Sequence, residues 1–397
     1  MALFKDVKKP IIKQHGAEGS DVSSGRPAYV AKAAPCIHSC PSGTDIRGWL
    51  VPLAQHKDYG RTPEQAFEAA WRAILENNPF PAVCGRVCQH PCELNCNRKD
   101  KDGAVSINKL EQFLGDFAVD HGLRPDKPDP KQSSGARIAI VGAGPAGLSA
   151  AYHLARAGHS VTVFDAAPEA GGLMRYSIPR STIPAATLDA EIAHILHLGV
   201  ELRLNCVVGR DIAMERLQRD YQAVFIAMGL QKPAQLAVVP GGDGRAFTIG
   251  VLPAEPPVIP QEAPARTEPR VLNTVSVAIA QGRSVAQTIA AQFQCCAVQT
   301  DRPAKVIRSD HLNLDWYKTL PRFENREQPM TQAEALAEAA RCMSCGMCMD
   351  CETCWMYCSK NCFAKLPKGE HYKIKIDLCN GCGKCASSCP CGYIEMN

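Results

Sequence analysis

The sequence predicts a multidomain α+β protein with three parts, and three observations lead to that prediction. Most of the 21 cysteines lie near the two ends of the 397-residue chain. Between them, a run of glycines follows an apolar strand and opens a helix, which is the pattern of a Rossmann-like α/β unit. The cysteines of the first part stand among helices and loops, and those of the last part recur at short, regular intervals. We therefore expect a helical domain, a Rossmann-like α/β domain and a small cysteine-rich domain.

Two proline-rich stretches separate these parts. "RPDKPDPKQSSG" (124–135) is typical of a polar linker, and "VLPAEPPVIPQEAPARTEPR" (251–270) holds too many prolines for regular structure. The predicted organisation is a helical domain at 1–125, a linker at 126–136, a Rossmann-like domain at 137–295 with a Pro-rich remnant at 240–270, a connector at 296–330 and a cysteine-rich domain at 331–397.

The charge balance excludes several classes of function. The chain has 44 Lys and Arg residues against 40 Asp and Glu residues, which does not indicate binding to nucleic acid or to a charged membrane surface. No apolar run is long enough to cross a bilayer, and the start "MALFKDVKKPIIKQHG" lacks the apolar stretch of a signal peptide. We therefore expect a cytoplasmic location.

The spacing of the cysteines indicates metal sites rather than disulfides. A small secreted protein would use so many cysteines for disulfides. This chain is long, and its cysteines recur as C-x2-C, C-x3-C and C-x3-C-P, which are spacings of metal ligands. Iron–sulfur clusters are favoured over zinc, because zinc sites rarely repeat C-x2-C-x2-C-x3-C-P twice.

The last part of the chain contains this iron–sulfur pattern twice. The copy from Cys379 to Cys389 is followed by Pro390, whereas Ser359 takes the proline position after the copy from Cys348 to Cys358. In such a pair, the fourth cysteine of each copy serves the cluster of the other copy. One predicted [4Fe–4S] cluster is held by Cys348, Cys351, Cys354 and Cys389. The other is held by Cys379, Cys382, Cys385 and Cys358. The tail resembles bacterial 2[4Fe–4S] ferredoxins and the delta subunit of pyruvate:ferredoxin oxidoreductases, and a zinc module is the alternative.

The middle part carries a dinucleotide-binding fingerprint. Gly142, Gly144 and Gly147 follow the strand "RIAIV" and open the helix "PAGLSAAYHLARAG", and Asp165 ends the next strand, "VTVFD". In this context the glycines let a helix N-terminus approach a pyrophosphate, and the acid holds the adenosine ribose. A Rossmann-like unit that binds no ligand is the alternative interpretation.

Other segments of the middle part resemble the flavin-contacting pieces of the glutamate synthase small-subunit family, namely "EAGGLMRYSIP" (169–179) and "AVFIAMG" (223–229). The resemblance implies an FAD site with these further contacts: Pro145, Ala146, Gly172, Leu173, Arg175, Val207 and Gly229. That family inserts a nicotinamide-binding domain, for which the short Pro-rich segment before "TVSVAIAQGRSVAQTI" leaves no room. The family's Gly-Asp before this helix is also missing, because the residues read "EPRVLNT". We expect FAD, but no direct oxidation of NAD(P)H by this chain.

The first part of the chain also resembles a known domain. "APCIHSCPSGTDIRGWL" and the segment from "NPFPAVCGRVC" to "KLEQFLGD" resemble the N-terminal iron–sulfur domain of glutamate synthase small subunits and of dihydropyrimidine dehydrogenase. The resemblance implies two [4Fe–4S] clusters on a helical domain. One is assigned to Cys40, Cys88, Cys92 and Glu111. The other keeps Cys36 and Cys96, but the C-x2-C pair that the family places shortly before Cys36 is missing from "PAYVAKAA".

The start of the tail offers a candidate for the missing pair. In the family, a helix reading roughly E-A-x-x-E-A-x-R-C-L-x-C leads into that pair, and residues 333–345 read "AEALAEAARCMSC". We infer that Cys342 and Cys345 join Cys36 and Cys96, so that the tail docks on the first domain and the connector wraps the middle domain. The alternative is that Cys342 and Cys345 bind nothing or hold zinc. Four clusters would use 15 cysteines and one glutamate, leaving Cys84, Cys206, Cys295, Cys296, Cys362 and Cys391 unassigned.

No nucleophile–base pair or carboxylate pair stands out, so no catalytic residue is predicted. The expected cofactors combine one-electron carriers with a flavin that exchanges one or two electrons. We expect an electron-transfer subunit of an anaerobic multisubunit oxidoreductase, passing electrons from catalytic subunits to an NAD- or ferredoxin-linked partner. The tail's resemblance favours a 2-oxoacid:acceptor oxidoreductase, for example of the phenylglyoxylate dehydrogenase type, with thiamine-diphosphate-dependent subunits and a separate NAD-reducing flavoprotein as partners. The alternatives are a stand-alone flavin-dependent reductase and a structural iron–sulfur hub with an empty flavin domain.

Overall fold

The structure is a computed structural model that describes residues 22–129, 135–229, 238–240, 247–249, 269–293, 305–324 and 327–397. Three predictions concern residues outside these ranges: the start of the chain, most of the Pro-rich stretch 251–270, and the pair Cys295–Cys296. Among the described residues, no helix combines the length and the apolar character that crossing a membrane requires.

The described part of the first domain is mainly helical, as predicted. Its elements are β1 (Pro27–Tyr29), α1 (Pro35–Ser39), α2 (Ile46–Ala54), α3 (Pro63–Leu75), α4 (Pro81–Val87), α5 (Pro91–Leu94), α6 (Lys99–Asp102) and α7 (Ile107–Asp120). Helix α3 begins where the Thr62 hydroxyl accepts a hydrogen bond from the backbone N–H of Gln65, with Pro63 in the first turn. Its apolar face buries Phe67 and Trp71 completely in the core.

Helices α4 and α7 cross so closely that only glycine fits at the contact. A Cβ atom on Gly85 would lie 2.4 Å from the Cα of Gln112. A Cβ atom on Gly115 would lie 2.3 Å from the backbone nitrogen of Ala82. This contact sets the cysteine-bearing end of α4 against the side of α7.

The middle domain has the predicted Rossmann-like form. Its described elements are β2 (Arg137–Val141), α8 (Pro145–Arg156), β3 (Ser160–Phe164), α9 (Leu173–Tyr176), α10 (Ala185–His197), β4 (Glu201–Arg203), α11 (Met214–Asp220), β5 (Ala223–Ile226), β6 (Val238–Pro240), β7 (Phe247–Ile249) and α12 (Pro269–Gln292). These strands form one sheet in the order β4–β3–β2–β5–β7–β6, in which neighbours are parallel except for β6 and β7.

The Pro-rich remnant predicted at 240–270 contains some regular structure. Strand β7 lies within it, and α12 begins at Pro269. The prediction that 251–270 has no regular structure is therefore wrong at its last two residues. The physical reason is that proline is tolerated in the first turn of a helix, where its missing N–H group has no intrahelical partner to lose.

Helix α12 packs along α8. A Cβ atom on Gly282 would lie 2.1 Å from the carbonyl oxygen of Ala146, so the two backbones are in direct contact. The hydroxyl of Ser149 donates to the carbonyl oxygen of Ile279 at 2.8 Å. The first turns of α8, which follow the glycine fingerprint, are thus held in place by α12.

A buried carboxylate joins the middle domain to the first domain. Glu191 in α10 is 1% exposed, and its two carboxylate oxygens accept hydrogen bonds from the backbone N–H groups of Ala82 and Val83 at 2.6 and 3.0 Å. These N–H groups lie in the first turn of α4, where they have no partner within the helix. Burial raises the pKa of Glu191 to about 8, although the two N–H groups pull it down.

The tail consists of short elements and shares a sheet with the first domain. They are α13 (Gln332–Ala339), α14 (Thr353–Tyr357), β8 (Phe363–Lys365), β9 (Tyr372–Ile374), α15 (Lys384–Ser387) and β10 (Ile394–Met396). Strands β8 and β9 form an antiparallel hairpin. Strand β10 pairs antiparallel with β1, with Ala28 opposite Glu395. The last strand of the chain therefore pairs with a strand near its beginning.

Residues 305–324 of the connector lie on the first domain. The carbonyl oxygens of Lys318 and Phe323 accept hydrogen bonds from the side chains of Arg98 and Ser106, at 2.6 and 2.8 Å. This path differs from the predicted one around the middle domain. An irregular segment is most stable where its backbone groups find partners, and the first domain supplies these donors.

Candidate cluster sites and dinucleotide site

The structure brings two cysteines of the first domain and two of the tail to one cavity. Its thiol lining consists of Cys36, Cys96, Cys342 and Cys345. Exclusion of water raises the pKa of Cys342 and Cys345 to about 12, and the neighbouring thiols add to this effect. Four ionised thiols in such a place repel one another, so the charged form needs a cation among them. A metal centre fits this donor set, and the juxtaposition is the one inferred from the missing cysteine pair.

A fully buried arginine holds the tail's cysteine pair at this cavity. Arg341, directly before Cys342, is 0% exposed. Its guanidinium donates to Glu338 Oε1 at 2.7 Å, to Asp102 Oδ1 at 2.9 Å and to three carbonyl oxygens of the loop 102–104. Burial raises the pKa of Asp102, but hydrogen bonds from arginine side chains outweigh it and hold the pKa at about 2. The tail therefore inserts this side chain against Asp102 and the carbonyl groups of the loop 102–104 in the first domain.

A second cavity lies where α4, α5 and α7 meet. The predicted ligands Cys40, Cys88, Cys92 and Glu111 all line it. Asn78 orients the carboxylate by donating from Nδ2 to Glu111 Oε1 at 2.9 Å. Burial raises the pKa of Glu111 to about 7, and the hydrogen bond from Asn78 opposes this shift. The structure thus brings together three thiols and one carboxyl group, a donor set that suits a metal centre with one harder ligand.

The first predicted group of the tail consists of Cys348, Cys351, Cys354 and Cys389. Burial raises the pKa of Cys354, and the other three thiols of the group add to this effect. Backbone N–H groups point at the sulfurs. Asp350 donates to Cys348 Sγ at 3.4 Å, and Tyr393 donates to Cys389 Sγ at 3.3 Å. Such bonds offset negative charge on metal-bound sulfur.

The second predicted group of the tail lines a cavity of its own, formed by Cys358, Cys379, Cys382 and Cys385. The backbone N–H of Gly381 donates to Cys379 Sγ at 3.3 Å. Gly381 has a φ of +76°, a conformation that glycine adopts at little cost and other residues rarely adopt. The glycine therefore allows the loop to turn its N–H group toward the sulfur.

Two cysteines that the sequence left unassigned lie beside predicted ligands. Cys362 is 2% exposed and lines the cavity of the second group, where its backbone N–H donates to the sulfur of Cys358 at 3.2 Å. The sulfur of Cys391 lies 3.7 Å from that of Cys389, and this hydrogen bond lowers the pKa of Cys389 to about 6. The only sequence feature that indicates this position for Cys362 and Cys391 is their short distance along the chain from the predicted ligands Cys358 and Cys389.

The glycine fingerprint forms a tight turn between β2 and α8. Gly142 has a φ of +114°, and a Cβ atom on Gly147 would lie 1.9 Å from the carbonyl oxygen of Gly142. A Cβ atom on Gly172 would lie 2.7 Å from the Cα of Gly144. The loop before α9 therefore packs directly on the turn, and the N-terminus of α8 is the expected anion site.

Asp165, the residue predicted to bind the ribose, lies beside this turn, and both of its carboxylate oxygens accept hydrogen bonds from the protein. Asp165 follows β3, and its Oδ1 accepts a hydrogen bond from the N–H of Ala167 at 2.7 Å. Its Oδ2 accepts one from the N–H of Ala143, within the glycine turn. A carboxylate oxygen has more than one lone pair, so a ribose hydroxyl has acceptors left.

The other predicted contacts lie at the ends of elements of the same domain. The guanidinium of Arg175 is engaged by the carboxylate of Asp189, and the N–H of Val207 donates to Asp211 Oδ2 at 2.9 Å. Arg175 thus joins α9 to α10, and Val207 stabilises its own loop. The remaining positions begin α8 or α9 or follow β5: Pro145, Ala146, Leu173 and Gly229.

Helix α12 links the second cavity to the glycine turn. The hydroxyl of Ser42, two residues after Cys40, donates to the carbonyl oxygen of Ser276 at 3.4 Å. Six residues further along α12, Gly282 contacts Ala146 at the start of α8. Six helical residues span about 9 Å, so the second cavity and the dinucleotide turn are close neighbours.

Two known families match parts of the chain. Residues 24–123 match the family described as dihydropyrimidine dehydrogenase domain II, 4Fe-4S cluster. Residues 140–199 match the family described as NAD(P)-binding Rossmann-like domain. The first range holds six of the cysteines and the glutamate discussed above, and the second holds the glycine turn and Asp165.

Characterised proteins also match a part of the chain. The beta subunit of NADP(+)-dependent formate dehydrogenase from Moorella thermoacetica is 37% identical over 58% of this chain and 34% of its own length. The beta subunit of NADPH-Fe(3+) oxidoreductase from Geobacter sulfurreducens is 36% identical over 52% of this chain and 29% of its own length. The small chain of NADPH glutamate synthase from Escherichia coli is 40% identical over 49% of this chain and 39% of its own length.

The chain spans less than half the length of each of these relatives. The likeness therefore concerns domains and not whole proteins. Within the first two domains of the chain, residues 24–123 are thus similar to a 4Fe–4S cluster domain of dihydropyrimidine dehydrogenase and residues 140–199 to an NAD(P)-binding Rossmann-like domain.

Proposed function

We propose that the chain is an electron-transfer subunit that holds four [4Fe–4S] clusters and FAD. The observation that supports this proposal most is the meeting of Cys342 and Cys345 with Cys36 and Cys96 around one cavity. Neither the tail nor the first domain contains this set of four thiols alone. A tail that merely packed on the first domain would have no reason to bring all four to the same cavity.

The proposed ligand sets are those predicted from the sequence, three with four thiols and one with three thiols and a carboxylate. Thiolates are the usual ligands of iron–sulfur clusters, and the harder carboxylate shifts the potential of its cluster. Burial raises the pKa of Cys36, and it raises the pKa of Cys88 and Cys385 to about 11. These thiols therefore ionise at neutral pH only when metal binding compensates.

When bound, the clusters supply one-electron transfer and the flavin supplies exchange between one- and two-electron chemistry. The contribution of the chain itself is to exclude water and to set spacing. Cys345 and Cys348, three residues apart, belong to different ligand sets, and three extended residues span at most about 11 Å. Helix α12 spans a similar distance between the second cavity and the glycine turn.

We propose FAD as the ligand of the Rossmann-like domain. The turn at Gly142 leaves the N-terminus of α8 open to a pyrophosphate, and the segment 169–179 packs on that turn, in line with its resemblance to a flavin-contacting segment. The matching family is described as NAD(P)-binding, which makes a nicotinamide dinucleotide the competing ligand. Heat release of the bound cofactor distinguishes them, because oxidised flavin has a characteristic visible fluorescence.

One observation favours a second function, a structural hub whose Rossmann-like domain binds no cofactor. Both carboxylate oxygens of Asp165 and the N–H group of Val207 are hydrogen-bonded within the protein. A cofactor would have to share or replace these bonds. A preparation with full iron content and no flavin would support the hub.

We further propose that the subunit belongs to a multisubunit oxidoreductase. The relatives from Moorella thermoacetica and Geobacter sulfurreducens are named as beta subunits. The resemblance of the tail to delta subunits favours thiamine-diphosphate-dependent 2-oxoacid oxidoreductase subunits as catalytic partners, as in the phenylglyoxylate dehydrogenase type, and a separate flavoprotein that reduces NAD. Identification of the subunits that copurify with the chain tests this assignment.

Anaerobic purification followed by iron and flavin counting tests the proposed function. Four clusters imply about 16 iron atoms per chain, and Cys342→Ser/Cys345→Ser is expected to lose about four of them. Cys206→Ser is the matched control, because Cys206 lies outside every proposed ligand set, and its iron content should equal that of the wild type. Unchanged iron in the double variant would contradict the shared cluster.

A further inference from the structure

The cavity of the second tail group opens at a basic surface. Besides its thiols, the cavity is lined by Lys360 and Lys384, and both lysines are exposed. Lys360 lies two residues after Cys358, and Lys384 directly precedes Cys385. The two ammonium groups therefore stand where a partner would approach the proposed cluster.

Apolar side chains lie at the same end of the tail. Tyr357 directly precedes the ligand Cys358 and is 45% exposed, and Leu378 directly precedes Cys379 and is 50% exposed. Ile376 is also 50% exposed. Of the eight large hydrophobic side chains that are exposed in the described part of the chain, five belong to the tail. Exposed apolar groups rimmed by charge are typical of an interaction site.

The formal charge of the chain is concentrated in the same segment. Residues 357–385 contain six lysines against one glutamate and one aspartate, an excess of four. The whole chain also has an excess of four, with 44 basic and 40 acidic residues, so the rest is balanced at 38 of each. A surface of this kind attracts an acidic partner and increases the rate of productive encounters.

We propose that the basic face, defined as Tyr357, Lys360, Ile376, Leu378 and Lys384, docks an acidic redox protein that exchanges electrons with the tail. The proposal rests on the proposed function, because it requires a cluster at the second tail group. Charge complementarity selects this partner over a second copy of the chain, since pairing the face with itself would bring like charges together. The apolar residues supply the area that loses water in the complex.

Stopped-flow electron transfer from the reduced full-length holoprotein to an oxidised acidic bacterial ferredoxin tests the proposal. We expect the second-order rate constant to fall as ionic strength rises. Lys360→Glu/Lys384→Glu should lower it about tenfold or more at low ionic strength, with a smaller effect at high salt. Lys127→Glu/Arg216→Glu makes the same change in net charge at exposed positions outside the tail and should alter the rate less than about twofold.

Two measurements separate docking from an effect on the cluster itself. Iron content and the rate of reduction by a small neutral mediator should be the same in Lys360→Glu/Lys384→Glu and in the wild type. Equal rates with ferredoxin in the two charge-reversal variants would overturn the proposal, as would loss of iron from the tail variant.

Other occupants give different results. Concentration-dependent dimerisation through the basic face would identify a second copy of the chain as the occupant. Binding to phosphatidylglycerol vesicles would identify a lipid surface, if Lys360→Glu/Lys384→Glu abolishes that binding and leaves the electron-transfer rate with ferredoxin unchanged. If the tail of the wild-type chain holds no iron, the proposed function and the docking are both refuted. Iron counting reveals this outcome without any measurement of electron transfer.

Discussion

Replacing Arg341 with methionine should release the tail from the first domain. Methionine keeps an unbranched apolar side chain and removes the guanidinium. In the wild type that group bonds to Glu338 Oε1 at 2.7 Å and to Asp102 Oδ1 at 2.9 Å, and none of the side chain is exposed. In the variant, Asp102 retains its ion pair with Arg98, whereas Glu338 loses this buried counter-ion.

The expected cost follows from the burial of these charges. Removing one partner of a buried ion pair costs about 3–5 kcal/mol. The three carbonyl oxygens of the loop 102–104 lose donors as well, at about 1 kcal/mol or more each. The ion pair alone corresponds to a change of about 10²-fold or more in the equilibrium between docked and released tail.

Amide hydrogen exchange, measured anaerobically on the holoprotein, reports this docking. Exchange in β1, β10 and α13 should become about 10²-fold faster in Arg341→Met. Iron content should fall by about four atoms per chain, while the ferredoxin-type clusters of the tail persist. Arg72→Met is the control, because Arg72 forms ion pairs on the surface, where such pairs contribute about 0–1 kcal/mol.

Wild-type exchange in β1 and β10, together with full iron content in Arg341→Met, would refute this reasoning. A double-mutant cycle with Glu338→Gln provides a second check. Since removal of both partners leaves no uncompensated charge, the double variant should lose less stability than the sum of the single variants. Additive losses would mean that the two side chains are not coupled.

Three other variants test contacts elsewhere in the protein. Glu191 has a pKa of about 8 in the folded chain, above the value of about 4.3 for a free glutamate. The contribution of Glu191 to the free energy of unfolding is therefore complete below about pH 4.3 and is lost as the pH rises to about 8. The unfolding temperature of Glu191→Gln, measured between pH 5 and 8, should lack this decline. Cys362→Ala removes the thiol beside the sulfur of Cys358 and keeps the backbone N–H that donates to that sulfur at 3.2 Å; losing the S–H dipole, at about 0.5–1 kcal/mol for the reduced cluster, should lower its midpoint potential by about 20–45 mV in a redox titration. Gly282→Ala places a methyl group 2.1 Å from the carbonyl oxygen of Ala146, so α12 must shift, at about 1–3 kcal/mol in thermal unfolding and with reduced flavin content.

Each of these variants has a clear contrary outcome. A pH-dependent decline that persists in Glu191→Gln would mean that another group causes it. An unchanged potential in Cys362→Ala would mean that its thiol does not act on the cluster, and Cys206→Ala is the control for loss of a thiol elsewhere. An unchanged unfolding temperature in Gly282→Ala would mean that α8 and α12 are less tightly packed than described.

The local features of this protein can be predicted from short stretches of its sequence. The loops that carry Cys348 to Cys358 and Cys379 to Cys389 are recognisable because neighbouring ligands are also neighbours in the chain. The same holds for the turn at Gly142 and for the helix before Cys342. Even the pairing of Cys342 with distant cysteines was inferred from a local pattern, because one motif was incomplete and its missing half stood elsewhere.

The contacts that hold the parts together could not be predicted in this way and are visible only in the folded chain. The pairing of β10 with β1, the burial of Arg341 in the first domain and the path of the connector 305–324 join segments that are far apart in the chain. The same is true of Glu191 at the start of α4. Such contacts are stabilised by excluding water from charges and backbone groups that meet only after folding, and no pattern within one segment records which distant group will be the partner.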